Sequence, residues 1–288
     1  AELFRKHAET FLKLNQMVQS KVKAAACALD TDTKGCTIDP VDQRGVLLGH
    51  LRCFFKNLKL DICEHTRLNY DTVSTRDVVR QILEKHYKFV SYAETTNAGP
   101  VCPKYMIEHL WDGRFSDLVA GVEWFAEARQ LSDLSPIWLD LVAFRHGIAG
   151  ELFIGSDQDN PLRKLNQFTD GRAFLWPGHG VDINRAWFMH ALHVTRQSAK
   201  LIDFVTSMGA VACTVAFPDG SWAFGNFDIT IAQQLMELDA SSSKATQKTD
   251  MDLIFDVLRS AKGGFKRFHQ RLHRIAAGPV LREAAANG

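Results

Sequence analysis

No apolar run in this 288-residue chain reaches the roughly 18 to 20 residues that a membrane-spanning helix needs, and the first residues lack the apolar centre of a secretion signal. Six cysteines, at Cys27, Cys36, Cys53, Cys63, Cys102 and Cys213, include no C-x-x-C pair and fall far short of a disulfide scaffold. They read as free thiols and point to an intracellular, reducing compartment, either cytoplasm or organelle matrix. An excess of one charge is also missing. Thirty-four Lys and Arg against 33 Asp and Glu leave a formal charge of +1, so a polyanion would have to find a local patch rather than a global field. Neither G-x-x-x-x-G-K-[ST] nor a strand-associated G-x-G-x-x-G occurs, which speaks against the common nucleotide-binding loops. Repeats at solenoid periods are absent as well.

What is there is the composition of a folded protein: 46% hydrophobic and 23% charged residues, enough to bury a core. Apolar spacing of three and four predicts helices over 2–29, 40–68, 75–96, 103–112, 115–131, 136–154, 161–168, 182–208, 229–239, 250–262 and 264–276. Ser74 with Asp77 has the form of a helix cap, and Pro40, Pro103, Pro136 and Pro161 each suit the first turn of a helix. Phe174 to Gly180 cannot continue a helix and is the most distinctive loop. Residues 211–217 and 222–227 flank a Pro-Asp-Gly turn and form the one clear β-hairpin. The fold class that follows is mainly α, a multi-helix bundle with one small hairpin near residues 211–227. Its organisation is a helical core domain over 1–239, a polar linker over 240–249 and a basic helical segment over 250–288.

Candidate sites are few. His179 stands in the Gly-rich loop, while His190 and His193 are three apart on the following helix, a spacing that turns two imidazoles toward one haem or transition metal. No E-x-x-H or paired-Cys spacing adds a ligand locally, and His190 beside Trp187 also reads as an ordinary half-buried helix residue. Arg145, His146 and Glu151 lie in an otherwise apolar stretch, where charge must be paired or must meet a substrate. Glu123 and Glu127 share a helix face but lack the histidines of a carboxylate-bridged metal bundle, so they read as a solvated face. The Asp30 to Val41 stretch starts like a calcium loop and fails at Lys34 and Val41. At the C-terminus Lys266, Arg267, Arg271 and Arg274 interleave with Phe265, Phe268, Leu272 and Ile275, a basic amphipathic helix suited to an acidic partner.

Three functional expectations follow. The first is a non-catalytic helical subunit or adaptor that acts through its surfaces with a protein partner or in a homo-oligomer. The second is a haem- or metal-dependent enzyme with a histidine-lined site around residues 174–193. The third and weakest is nucleic-acid binding by the basic C-terminal helix.

Overall fold

A computed structural model describes residues 35–148, 161–177, 181–198, 200–208, 211–216, 222–224, 229–245 and 248–274. The helix expected over 2–29, the Asp30 turn up to Lys34, Glu151, His179 and the 218–221 turn lie outside these residues.

The expected helical bundle is overturned by a seven-stranded sheet. Its strands are β1 (Val46–Leu47), β2 (Tyr105–Glu108), β3 (Pro136–Leu139), β4 (Gly171–Trp176), β5 (Leu201–Thr206), β6 (Val211–Ala216) and β7 (Trp222–Phe224). Their order across the sheet is β1-β3-β2-β4-β5-β6-β7. Strands β3, β2, β4 and β5 are parallel neighbours, and β1, β6 and β7 add antiparallel edges. The expected hairpin exists as β6 and β7, but as one flank of this larger sheet.

The physical reason for the misreading lies in the central strands. A parallel strand covered on both faces loses the in-out alternation and becomes a short continuous apolar run. Four such residues satisfy a helical stripe equally well. Thus Tyr105-Met106-Ile107, all buried, sits inside the helix expected at 103–112, and Ile137-Trp138-Leu139 inside the one at 136–154. Pro136 opens a strand rather than a helix, a position that also tolerates its missing N–H. The single helix expected over 182–208 is a helix ending at Gln197 followed by β5. The strand β4 takes the first half of the expected 174–180 loop.

The helices are α1 (Leu48–His65), α2 (Thr75–Val78), α3 (Glu84–His86), α4 (Tyr92–Thr96), α5 (Phe115–Ala128), α6 (Asp140–Ala143), α7 (Pro161–Phe168), α8 (Ala186–Gln197), α9 (Ile229–Glu237) and α10 (Lys248–Ser260). A wider, π-helical turn at Val79–Leu83 joins α2 to α3, and a further helix spans 264–274. Ser74 caps α2 as its sequence suggests, its Oγ accepting from the Asp77 amide at 3.1 Å. No described helix is long and apolar enough to cross a membrane, and among the described residues Cys36, Cys53, Cys63 and Cys102 form no disulfide.

Alternate strand residues feed two cores. Tyr105, Ile107, Leu139, Ala173, Leu175 and Val205 pack with Leu51, Phe54 and Phe55 of α1 and Leu118, Val122 and Phe125 of α5. On the other face Phe174, Trp176, Ile202 and Phe204 meet Phe188, Met189 and Leu192 of α8, Leu235 of α9, Leu258 of α10, and Phe268 and Leu272 of the last helix. Met106 and Trp138 pack with Leu165 of α7. The sheet is therefore covered on both sides, which positions its strand ends as the place where polar groups gather.

Two ion pairs anchor charge within these layers. Asp203 of β5, 2% exposed, takes a bidentate grip from Arg129 at the end of α5. Glu94, 1% exposed, closes a capping box with Ser91 at the start of α4, accepts the Ile38 amide at 2.9 Å and receives both Nε and Nη2 of Arg145. Burial alone would raise the Glu94 pKa, but the Arg145 and backbone hydrogen bonds outweigh it and hold the carboxyl down at about 2. A depressed carboxyl contributes stability that is present above its unfolded pKa and is lost as pH falls toward the folded value. At neutral pH this amounts to something on the order of 3 kcal/mol. Urea unfolding of the wild type should therefore weaken steadily between about pH 5 and pH 2. Glu94→Gln should be less stable at neutral pH and flatter over that window, and parallel curves for the two proteins would show that Glu94 carries none of the acid sensitivity.

Candidate active site

The chain leaves β2 for β3 on one side, then crosses to β4 on the other. Ligands of open parallel sheets sit outside the carboxyl ends of the two strands that flank such a reversal, because the connecting loops part there. In this chain those ends are Glu108 and Trp176, with Leu139 one strand over.

The register of β2 with β3 pairs Ile107 with Leu139, so the next residues, Glu108 and Asp140, emerge side by side. Asp140 is also the first residue of α6. Its Oδ1 accepts from His109 Nε2 at 2.8 Å and its Oδ2 accepts from the Trp111 indole N–H at 2.6 Å. Burial works to raise the Asp140 pKa, yet the charge and hydrogen bond of His109, together with the Trp111 bond, keep it below the ordinary value. His109 shows the reciprocal effect. Burial pushes its pKa down, and the carboxylate of Asp140 more than reverses that, so the imidazole is raised and favours its charged form. Asp140 thus fixes the orientation of the imidazole and biases it toward its protonated form.

Glu108 lies next to this pair. Its carboxyl is largely enclosed, with 19% of the side-chain surface still open, and its nearest cation is Arg172 Nη1 at 3.2 Å. Burial raises it most, Arg172 pulls it back, and the charge of Asp140 adds to the rise, leaving the group pushed up to about 7. Arg172 is the second residue of β4, is fully buried, and lies 6.0 Å from the Phe174 ring centre. Among the described residues its Nε, Nη1 and Nη2 find no hydrogen-bond partner, and the Glu108 carboxylate is its electrostatic partner without satisfying its fork.

The loop after β2 is pinned. Asp112 is held by Arg76 at 2.7 Å and approached by Arg185 at 4.0 Å, and both cations lower its pKa. Gly113 lies so close to the Leu110 carbonyl that an added Cβ would stand 3.0 Å from that oxygen and 3.8 Å from Pro177. The loop that carries His109 and Trp111 thus rests against the end of β4, beside the reversal point.

The residues singled out from sequence fall unevenly around this centre. His146 joins it: its ring lies 6.5 Å from that of Trp111, its Nε2 donates to the Leu141 carbonyl at 3.0 Å, and its charge acts on Asp140. Arg145 points elsewhere, into the ion pair with Glu94. His190 and His193 lie on α8, buried, where desolvation first and neighbouring arginines second push their pKa values down to about 3 and about 4. His190 belongs to the same interior as Arg172, whose charge is the largest of those acting on it. Glu151 and His179 lie outside the described residues. Among the described residues no three His, Cys, Asp or Glu side chains are grouped to hold a metal ion. Glu123 pairs with Arg52 and Glu127 is exposed, in keeping with a solvated face. Lys266 and Arg274 are exposed, with Arg267 and Arg271 half-buried beside α8.

Sequence reasoning missed Glu108, His109, Trp111, Asp140 and Arg172. A signal existed: Tyr-Met-Ile-Glu-His and Ile-Trp-Leu-Asp both end a short apolar run in an ionisable residue, the pattern of a parallel strand whose carboxyl end carries function. It is readable only once those runs are known to be strands. Comparison with protein-family models, with curated protein sequences and with solved structures finds no match.

Two titrations test the electrostatics. Arg172→Leu removes the largest influence that opposes burial at Glu108, so the Glu108 carboxyl midpoint, followed by carbon NMR, should rise above its wild-type value near 7. Arg172→Lys, which keeps the charge, should stay closer to it. Asp140→Asn should lower the His109 midpoint in proton NMR, and an unchanged His109 titration would mean that the two side chains are not coupled in solution.

Proposed function

We propose that the protein is an enzyme that uses general acid–base chemistry on a small polar molecule bound outside the carboxyl ends of β2 and β4. The observation that carries this reading is Glu108: a largely enclosed carboxyl, its side chain 19% open, poised near neutrality at the end of a central parallel strand, beside an oriented His–Asp pair.

Each role follows from the environment. Glu108 exchanges a proton with the substrate, because a group with a pKa near the working pH serves as both base and acid. Arg172 keeps its carboxylate form accessible, since burial alone would hold Glu108 further toward the neutral acid. His109, fixed by Asp140, donates to negative charge that develops as the proton leaves. Trp111, whose indole N–H is tied to the same Asp140, supplies a wall in fixed orientation. A base and a cationic donor side by side suit reactions that pass through an oxyanion, such as enolisation of a carbonyl compound or addition of water to one.

The surface-acting subunit expected from sequence has no comparably specific geometric support among the described residues, so the enzyme ranks ahead of it. That Cys36, Cys53, Cys63 and Cys102 form no disulfide among the described residues supports a reducing compartment.

The experiment is an NMR screen of small carbonyl compounds and carboxylic acids in deuterated water, with the Trp111 indole proton as the binding reporter and carbon-bound deuterium as the readout of turnover. Wild type should bind and exchange at least one compound class, and Glu108→Gln should lose roughly 10²- to 10⁴-fold in rate while still binding. Failure of every compound to perturb Trp111, or equal exchange by Glu108→Gln, would sink the proposal.

A further inference from the structure

We propose that Arg172 is the substrate-binding residue of this site, and that its guanidinium fork holds the carboxylate of a short α-oxo acid. This names the substrate class of the acid–base site above and rests on that reading.

Sheet register gives the direction of the side chain. Arg172 of β4 pairs with Met106 of β2 on one side and with Ile202 of β5 on the other. Glu108 stands two residues further along β2, opposite Phe174, and so shares the face of the sheet that Arg172 occupies. Yet Arg172 Nη1 lies 3.2 Å from Glu108 Oε1. The side chain therefore runs along the sheet toward the carboxyl ends of the strands, over a rise of about 7 Å, and delivers its guanidinium beside the acid. Of the two, Glu108 is the one that meets solvent, with 19% of its side-chain surface open against 0% for Arg172, so a ligand arrives past Glu108.

What the fork lacks is an acceptor. Glu108 is near enough at 3.2 Å, but none of the Arg172 nitrogens donates to it and Oε1 accepts from nothing, so the N–H groups are directed past the carboxylate. Other enclosed arginines of this fold are treated differently. Arg44, also 0% exposed, donates to the carbonyls of Ile38, Ala143 and Asp39. Arg129 and Arg145 grip Asp203 and Glu94 through two nitrogens each. An enclosed cation without hydrogen bonds is costly to a fold, and a bound anion would remove that cost. Helix α8, which covers this face, brings His190 within reach of the Arg172 charge, but burial first and that charge second push the imidazole down to about 3 and leave it neutral.

The shape of the vacant acceptor position selects the ligand. A carboxylate is planar and offers two oxygens at the spacing of the fork, whereas an amide or a ketone offers one oxygen and no charge. A phosphate monoester would bring nearly a second negative charge beside Glu108. With Glu108 next to one arm of the fork, an exchangeable hydrogen within about two carbons of the bound carboxylate comes within its reach, which is the arrangement in an α-oxo acid.

The test titrates the full chain at neutral pH with pyruvate and, separately, with its neutral amide, following the Trp111 indole proton by NMR. Wild type should bind pyruvate roughly 10- to 100-fold more tightly than pyruvamide, a comparison that needs no variant to fold. Arg172→Leu should lose this preference and Arg172→Lys should keep part of it. Glu108→Gln, which removes the competing carboxylate, should bind pyruvate more tightly than wild type and pyruvamide no differently, a change that a purely structural Arg172 would not produce. Equal affinity of wild type for acid and amide, or an undiminished preference in Arg172→Leu, would overturn the inference. If neutral ketones still exchange deuterium through Glu108 in that event, the acid–base reading stands and the carboxylate assignment alone falls. Pyruvate held by Arg172 with exchange unchanged in Glu108→Gln would do the reverse.

Discussion

The position of β2 constrains almost everything else in this molecule. It is hydrogen-bonded to β3 on one edge and to β4 on the other, and buried side chains cover both of its faces. A four-residue strand so enclosed has one exit for polar groups, its carboxyl end. Glu108 is therefore placed by sheet pairing, and His109 follows it directly at the start of the loop. Asp140 is brought to the same spot by the register of the neighbouring strand. A rigid scaffold of this kind holds an ionisable cluster more precisely than a surface loop would.

Charge in the interior follows one rule with two outcomes. Glu94 with Arg145 and Asp203 with Arg129 are matched by direct, bidentate hydrogen bonds, and such pairs tie segments together. Glu108 with Arg172 is matched in charge but not in hydrogen bonding, and the carboxyl is left near neutrality as a result. Satisfied pairs tie the fold together, and the unsatisfied one supports the proposed acid–base site, since a buried group whose two protonation states are close in free energy is ready to exchange a proton.

How much was legible in the residues varies from element to element. The helix opened by Pro161 has the boundaries its sequence predicts, and the Ser74 cap and the start of α5 at Phe115 fall where local chemistry puts them. These signals are local: a cap, a fixed φ or an amphipathic stripe acts within one or two turns. The capping box of Ser91 and Glu94 is equally local but was hidden inside an expected helix over 75–96, which in fact ends at His86. The strands β2, β3 and β5 were invisible as strands, because burial on both faces erases the alternation by which a strand is recognised. Of the site, His146 was legible as a charged group in an apolar stretch, whereas its neighbours Glu108, His109, Trp111 and Asp140 were not.

The residues by themselves determined that the chain folds around a large core, that it carries no strong net charge, and where its capped helices begin. Those properties depend on composition or on interactions a few residues long. Only the tertiary structure decided that four short apolar runs pair in parallel, that Glu108 stands beside a His–Asp pair whose members are 31 residues apart in the chain, and that Arg172 lies buried against it. Pairing between parallel strands is set by contacts far apart in sequence, and a carboxyl's pKa is set by what surrounds it. Neither is written in a residue's immediate neighbours.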